Sequence, residues 1–397
     1  MSGTSIKLRR FCAFVIGIVF FVSGAFKLMD PVGTSLIVSE YYAFLHFGFM
    51  KATSLYVGLA LSLLETLSGV ALMAGVFRKQ AAVAVSVLLV LFTFIAVVLV
   101  IFNPSFDCGC FGEAVHLTHF QTLVKNIVLL ALATAAFVPF RHFGTPKRSK
   151  YITSSLICAG VVGITIYSLL FIPMIDFTPF KGASLLAAAV TEDGGGDDYV
   201  ATFIYEKNGQ EGAFTLDKLP DSTWTFVRTD VLKKTRASNE SFPSLSFTDS
   251  AGEYRDDLAA SGTVIVLSVY QPGKFTDAKW GRAYEFISAA AGNGFTPLLL
   301  VAGDMPEGII PSSLEAEYVF HADYRTLISL NRSNGGATYF NEGNLIEKWA
   351  WQSLPSEEEL ARLRRRDATE TMMAASTKGR LVFQAFMLYS FILVLLF

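Results

Sequence analysis

Charged side chains are scarce in this sequence. Asp, Glu, Lys and Arg make up 17% of the 397 residues, whereas apolar residues make up 52%. A soluble globular domain carries nearer ~25% charged residues, so an entirely soluble protein is excluded. Positive and negative charges nearly balance, because the formal net charge is −2. The sequence therefore gives no reason to expect a nucleic-acid partner.

Cysteine is also rare. Of four cysteines, only Cys108 and Cys110 lie close together in the sequence. Cys12 opens the first apolar segment and Cys158 lies about one-third of the way into the fifth, so both are predicted to be small packing residues. A four-cysteine relay within this chain is excluded, and any thiol-exchange partner must be another protein or a small thiol.

Six apolar segments approach the ~20 residues that a helix needs to cross ~30 Å of hydrocarbon. They are 11–28, 53–77, 81–103, 119–140, 151–173 and 381–397. The first has no signal-peptide cleavage site, so it is expected to be retained. The last is short, and it either spans a thinned bilayer or lies partly buried against the bundle. The lipid bilayer is therefore an expected partner.

Basic residues in the short loops predict the orientation. With the N-terminus in the cytoplasm, nine basic residues fall in inner loops and only Lys27 and Lys51 fall in outer ones. The inner nine are Lys7, Arg9, Arg10, Arg78, Lys79, Arg141, Lys147, Arg148 and Lys150. This asymmetry predicts a bacterial inner-membrane protein whose soluble part lies in the periplasm.

The chain is predicted to divide into a membrane part and a soluble part. The boundaries are 1–145 for a four-helix membrane bundle, 146–177 for a fifth transmembrane helix, 178–375 for an α/β periplasmic domain, and 378–397 for a C-terminal transmembrane helix. The aromatic stretch 41–47 is predicted to be a short helix in the membrane interface. A Gly- and acid-rich stretch, 187–198, is predicted to be a flexible linker.

Three patterns in the first part carry a family resemblance. They are Ser23-Gly24-Ala25-Phe26-Lys27-Leu28-Met29-Asp30-Pro31, Glu65-Thr66-Leu67-Ser68-Gly69, and Asp107-Cys108-Gly109-Cys110-Phe111-Gly112 with Lys125-Asn126 further on. Together they resemble the DoxX/MauE family of four-helix membrane proteins over roughly residues 5–140. The resemblance implies a link to thiol–disulfide chemistry, because MauE-type proteins are associated with disulfide formation in a periplasmic enzyme.

The residues around the cysteine pair favour redox chemistry independently. Two thiols flanking Gly109 would close only a small strained ring, and strained disulfides tend to be labile or catalytic. The pair also precedes a helix N-terminus, which lowers the pKa of a thiol. A disulfide clip that pins the loop is the structural alternative. A zinc site with His116 and His119 is disfavoured in an oxidising compartment, so no metal is expected.

A quinone is the one cofactor that the arrangement suggests. The pair's position at the membrane edge is similar to that in vitamin K epoxide reductase-type proteins, where such a pair passes electrons to a quinone. Glu65 falls near the middle of the second apolar segment, where a carboxylate is costly and often functional. Lys125 is predicted to be its partner, within a polar cluster that includes Asn126, Lys27 and Asp107. A buried ion pair that only holds helices together is the alternative.

The soluble part is predicted to have a thioredoxin-like fold. A hairpin about Asn208-Gly209 precedes strands at 263–269, 295–301 and 318–321, helices at 277–291 and 324–331, a hairpin across 341–344, and a helix at 356–366. The order resembles thioredoxin-like periplasmic domains of the TlpA and peroxiredoxin type. No cysteine occupies Ser268–Phe275, and Asn334-Gly335-Gly336 replaces the expected cis-proline. This domain is therefore not expected to exchange disulfides.

Two functions follow from these observations. The first is a membrane redox protein that uses Cys108 and Cys110 with an envelope partner or a quinone. The second is a non-catalytic anchor or scaffold subunit of an envelope complex, in which the outer domain binds partners. The sequence alone leaves both open.

Overall fold

The structure is a computed structural model, and it describes most of the chain. The described residues are 3–104, 106–138, 147–173, 175–189, 199–207, 210–214, 225–233, 242–305, 317–375 and four single positions beyond, Thr377, Leu381, Gln384 and Leu388. The predicted C-terminal transmembrane helix, 378–397, falls almost entirely outside them. So does most of the predicted linker, at 190–198.

Five helices in the described residues are long and apolar enough to cross a membrane. They are α1 (Gly3–Met29), α3 (Ser54–Ala74), α4 (Arg78–Phe102), α5 (His119–Phe137) and α6 (Arg148–Leu170). The first five predicted segments are therefore confirmed as helices, with ends that differ by a few residues. Helix α4 rises about 37 Å at 1.5 Å per residue, which exceeds the hydrocarbon thickness.

Helices α1, α3, α4 and α5 pack as a ring of four around an apolar core. Ile16, Val85, Leu89 and Leu129 are among the side chains that fill this core. Helix α6 packs outside the ring against α1 and α3. The fold of the first part is a helical bundle, as the sequence predicts.

Small residues bring α1 and α3 into close contact. A Cβ atom added at Gly69 would lie 2.5 Å from the backbone nitrogen of Phe21, and one added at Gly24 would overlap Thr66. Because Gly has no side chain at these two points, the two backbones approach closely over most of their length. This contact fixes which side chains of α1 face α3.

Helix α2 (Pro31–Phe44) lies between α1 and α3 in the sequence and packs on α3. Asp30 caps it by accepting a hydrogen bond from Gly33 N at 2.8 Å, and Pro31 occupies its first position. The predicted interfacial helix at 41–47 is therefore not a separate helix, because its first four residues end α2 and its last three lie beyond that helix. A 3-10 turn (Gly48–Thr53) connects α2 to α3.

The first sheet after the membrane bundle has three antiparallel strands. They are β2 (Tyr199–Lys207), β3 (Gln210–Phe214) and β4 (Thr225–Lys233), in the order β3-β2-β4. Strands β2 and β3 pair in antiparallel register from Phe203–Phe214 to Lys207–Gln210, which confirms the paired strands of the predicted hairpin. The sequence did not predict β4.

The second sheet has six strands in the order β10-β9-β6-β7-β8-β5. The strands are β5 (Phe247–Thr248), β6 (Thr263–Val269), β7 (Thr296–Val301), β8 (Val319–Ala322), β9 (Gly336–Asn341) and β10 (Asn344–Trp349). Strands β6, β7 and β8 are parallel, and β9 and β10 form an antiparallel hairpin beside β6. Strands β6 to β10 confirm the predicted strand segments, whereas β5 was not predicted.

Helices cover both faces of the six-stranded sheet. The helices are α7 (Asp257–Ala260), α8 (Asp277–Gly292), α9 (Tyr324–Leu330) and α10 (Glu357–Arg365). Ile265 and Leu267 pack with Trp280 of α8 on one face. Val264 and Val266 face the other cluster, against which Val32 and Leu36 of α2 also pack. Helix α2 therefore joins the membrane bundle to this domain.

Candidate functional site

The cysteine pair lies in the loop that connects α4 to α5. Cys110 begins a short strand, β1 (Cys110–Glu113), and all four cysteines of the chain are free thiols. Gly109 has a φ of +62°, and a Cβ atom there would overlap Ile37 of α2. Both constraints select glycine between the two thiols.

Cys108 is buried, with 6% of its surface exposed. Its Sγ lies 2.8 Å from Thr122 Oγ1 on the first turn of α5. Its carbonyl oxygen accepts a hydrogen bond from Tyr41 Oη of α2 at 2.7 Å. Burial raises the pKa of Tyr41, so this hydroxyl stays protonated and remains a donor.

The two thiols have different acidities. A hydrogen bond from the Cys108 thiol lowers the pKa of Cys110 below its usual range, and the ammonium groups of Lys125 and Lys27 lower it further, against the opposing effect of burial. The hydrogen bond to Cys110 and burial both raise the pKa of Cys108. Cys110 is therefore the thiol that carries the thiolate, and Cys108 is the thiol that keeps its proton.

Glu65 lies beneath the cysteine loop and is 2% exposed. Its two carboxylate oxygens accept hydrogen bonds from Lys27 Nζ at 2.7 and 2.9 Å. Ser23 Oγ lies 2.7 Å from Glu65 Oε2 and 2.6 Å from the carbonyl oxygen of Cys110. A single hydroxyl thus connects the buried ion pair to the cysteine loop.

The predicted pairing of Glu65 with Lys125 is wrong. The close contact of α1 with α3 places Lys27, on the last turn of α1, beside Glu65. Lys125 instead lies with its Nζ 5.0 Å from the centre of the Phe111 ring, near Cys110. Both lysines therefore lie near the cysteine pair, but only Lys27 pairs with the carboxylate.

The remaining predicted cluster members lie in different places. Asn126 is buried among the helices, and its Nδ2 has no hydrogen-bond partner among the described residues. Asp107 does not belong to the cluster: it is exposed and pairs with His116 Nδ1 at 2.6 Å. His119 Nε2 bonds to the Pro104 carbonyl oxygen. Within the described residues no three His, Cys, Asp or Glu side chains are grouped as a metal site requires.

A cavity of about 300 Å³ lies directly beneath the pair. Both cysteines line it, together with Lys27, Glu65, Lys125 and Asn126. The helices α1 to α5 enclose it, and most of its other lining side chains are hydrophobic. The structure thus brings the predicted thiols and the predicted intramembrane polar residues, except Asp107, around one space.

Comparison with known proteins identifies the part of the chain that builds this site. Residues 6–139 match the family model described as methylamine utilisation protein MauE. This part of the chain is a MauE-like membrane module. Residues 199–234, which contain β2 to β4, match a family described as a domain of unknown function, DUF8463. No curated protein and no solved structure matches the chain.

The six-stranded-sheet domain contacts the MauE-like module beside the cysteine loop. Arg332, in the loop before β9, contacts Asp30 Oδ2 through Nε at 3.0 Å and Nη2 at 2.8 Å, and both side chains are buried. Its Nη2 also lies 3.6 Å from Glu113 at the end of β1. Arg325 and Glu40 form a second ion pair at 2.8 Å, in which Arg325 is 71% exposed.

Sequence reasoning missed Ser23, Tyr41, Thr122 and Arg332 as parts of this site. Ser23 and Asp30 belong to the motif at the end of α1, and Tyr41 belongs to an aromatic stretch, so those segments were visible as unusual. Nothing in the sequence near Arg332 indicates that it contacts a residue 302 positions away. Such a contact follows only from the docking of two folded parts.

Proposed function

We propose that this chain is a membrane-bound thiol–disulfide oxidoreductase in which Cys108 and Cys110 alternate between dithiol and disulfide. The observation that carries this proposal is the unequal environment of two adjacent thiols. One is buried and protonated, and the other lies beside two ammonium groups. Such a difference favours thiol–disulfide exchange, because one sulfur attacks as a thiolate and the other remains available to resolve the mixed disulfide.

The roles of the two sulfurs follow from their surroundings. The Cys110 thiolate attacks a partner disulfide, forms a mixed disulfide, and releases one partner thiol. Cys108 then loses its proton, attacks Cys110 and releases the second partner thiol. Two electrons and two protons pass from the pair to the partner, and the reverse sequence oxidises a partner dithiol. In this account Thr122 and Tyr41 are positioning residues for Cys108 and its carbonyl group.

We propose an inner-membrane location in a bacterium, with the pair and the outer domain in the periplasm. Arg9, Arg10, Arg78 and Lys150 surround a cavity at the inner end of the bundle. The cysteine loop follows the opposite end of α4, so the basic residues and the thiols lie at opposite membrane faces. Labelling of Cys110 by a membrane-impermeant reagent in spheroplasts tests this location.

We propose a thioredoxin-like fold for the six-stranded-sheet domain and a binding role rather than an exchange role. The order β10-β9-β6-β7, with a parallel β6–β7 pair joined through α8, supports the fold. No residue after Cys158 is a cysteine. The loop before β9, which carries Arg332, contacts the module. A scaffold function without redox chemistry would use the same contact. The glutathione experiment described next distinguishes this scaffold function from the redox function.

Oxidised glutathione, a simple disulfide, tests the redox proposal on the purified full chain. We expect the reduced wild type to form the Cys108–Cys110 disulfide. The Cys108→Ser variant should accumulate a glutathione adduct on Cys110, because the resolving thiol is absent. The Cys110→Ser variant should react at least about tenfold more slowly, since Cys108 is buried and its thiolate is disfavoured. Intact-mass spectrometry distinguishes the three products.

Two further variants are matched controls for this test. Cys12→Ser and Cys158→Ser each remove a thiol from the helices, and both should behave as the wild type. If oxidised glutathione neither forms the disulfide in the wild type nor modifies Cys110 in Cys108→Ser, the redox proposal fails. The scaffold function then becomes the account of this chain.

A further inference from the structure

The lining of the cavity beneath the cysteine pair includes side chains that are exposed on the outside of the bundle. Phe94 of α4 and Leu45 at the end of α2 line it, and they are 65% and 49% exposed on the outside of the bundle. Phe20, Leu61 and Leu89 line its interior. Hydrophobic walls that continue to exposed side chains of the bundle fit a ligand that dissolves in the bilayer. A water-soluble thiol has no need of such a space.

The end of the cavity beside the thiols is polar and contains an unused hydrogen-bond donor. Asn126 is 2% exposed, and its Nδ2 is buried without a partner in the described part of the chain. An unsatisfied buried amide costs free energy, so its retention indicates a missing acceptor. Lys125, one residue earlier, lines the same space and adds a second donor. The cavity therefore offers two hydrogen-bond donors, while the carboxylate in its lining, Glu65, is already paired with Lys27. This arrangement fits a ligand that carries carbonyl oxygens.

We propose that this cavity binds the ring of a lipid-soluble quinone, which accepts two electrons from the Cys108–Cys110 dithiol. This inference rests on the proposed redox function and names its electron acceptor. Asn126 donates a hydrogen bond to one ring carbonyl oxygen, and the isoprenoid tail extends past Leu45 and Phe94 towards the bilayer. The thiols at the polar end then adjoin the ring.

The reaction balances in atoms and electrons. Cys108 and Cys110 lose two electrons and form one S–S bond. The quinone gains those electrons, and its two ring oxygens take up two protons, one from the Cys108 thiol and one from water, to which Cys110 had already lost its proton. The products are one disulfide and one quinol. The pair is thereby returned to the oxidised state in which it accepts electrons from a partner dithiol.

A short-chain ubiquinone tests the site on the purified, reduced full chain without oxygen. We expect the wild type to form one quinol for each Cys108–Cys110 disulfide, followed by absorbance and by intact mass. Asn126→Leu should slow the quinone reaction by about tenfold, because it removes one hydrogen bond to the ligand. It should leave oxidation by glutathione disulfide unchanged. Val98→Trp, which narrows the cavity from α4, should also slow only the quinone reaction.

Ser168→Ala is the matched control. Ser168 Oγ is also buried without a partner among the described residues, but it lies on α6, away from the cavity. This variant should react with the quinone as the wild type does. The inference is overturned if glutathione disulfide oxidises the wild type and the quinone does not, or if both cavity variants react with the quinone at the wild-type rate. If neither oxidant forms the disulfide, the proposed function fails together with the quinone site.

Discussion

Cys110 owes its low pKa first to the hydrogen bond from the Cys108 thiol and then to charges from two helices. The Lys125 ammonium lowers the pKa of Cys110 through both charge and a hydrogen bond, and the Lys27 ammonium lowers it further. A free thiol has a pKa of about 8.5. Since only the thiolate reacts with alkylating reagents, Cys110 should remain reactive at pH values at which an ordinary cysteine is protonated and inert.

The pH dependence of alkylation measures this effect. In a Cys12→Ser/Cys158→Ser background, after mild reduction, a membrane-impermeant maleimide should label Cys110 in spheroplasts with a midpoint below that of a free thiol. Lys125→Gln removes a positive charge, raises the pKa of Cys110 and should move the midpoint to higher pH. Lys51→Gln, in the same outer region but away from the thiols, should not. Labelling only after lysis would contradict the periplasmic location.

The packing of α1 on α3 determines the site at the level of whole helices. Gly69 allows the contact, because a Cβ atom there would lie 2.5 Å from Phe21 N and 2.7 Å from Gly17 O. Separation of the two helices would also separate Lys27 from Glu65. The buried ion pair therefore depends on a glycine that touches neither of its members.

Gly69→Ala should destabilise the bundle by ~1–3 kcal/mol, the usual cost of overpacking. Gly163→Ala is the control, because that glycine also lies in a transmembrane helix but has no atom within 4 Å of a built Cβ. The Gly163→Ala variant should have an unchanged free energy of unfolding or one raised by up to about 1 kcal/mol, because Ala has a higher helix propensity than Gly. Thermal unfolding in detergent, followed by circular dichroism, compares the two. Equal midpoints would show that the close contact is unimportant.

The same glycines explain why the sequence predicted the helices but not the pairing within the site. Apolar length alone places α1, α3, α4, α5 and α6, and motif spacing places Cys108 beside α5. Position along the helices alone indicated Lys125 as the partner of Glu65. Which lysine reaches the carboxylate depends on the rotation of α1 against α3, and that rotation is fixed by side-chain packing rather than by hydropathy.

At the scale of the whole molecule, Arg332 and Asp30 join the outer domain to the membrane module. Both are buried, so loss of either leaves an uncompensated charge, at a cost of ~3–5 kcal/mol. All four tryptophans lie after residue 220, and their fluorescence therefore reports unfolding of the outer part alone. Arg332→Met should lower the midpoint temperature of thermal unfolding, followed by tryptophan fluorescence.

Two comparisons separate an interface effect from a defect within the domain. Asp30→Asn, on the other side of the interface, should lower the same tryptophan midpoint, and the double variant should lose less than the sum of the two. Arg325→Met breaks the exposed pair with Glu40 and should cost ~1 kcal/mol or less. Strict additivity of Arg332→Met and Asp30→Asn would contradict a direct pairing.

The distance in sequence between Asp30 and Arg332 also sets an order of assembly. The two residues are 302 positions apart, and a ribosome adds ~5–20 residues per second, so Arg332 is synthesised roughly 15–60 s after Asp30. Until then the Asp30 carboxylate has no Arg332 with which to pair, although the helices that flank it have already been synthesised. Arg332 also lies 3.6 Å from Glu113, at the end of the strand that Cys110 begins, so this second contact waits for the same residue. The membrane module and the sheet domain therefore cannot be joined through Arg332 until translation has passed position 332.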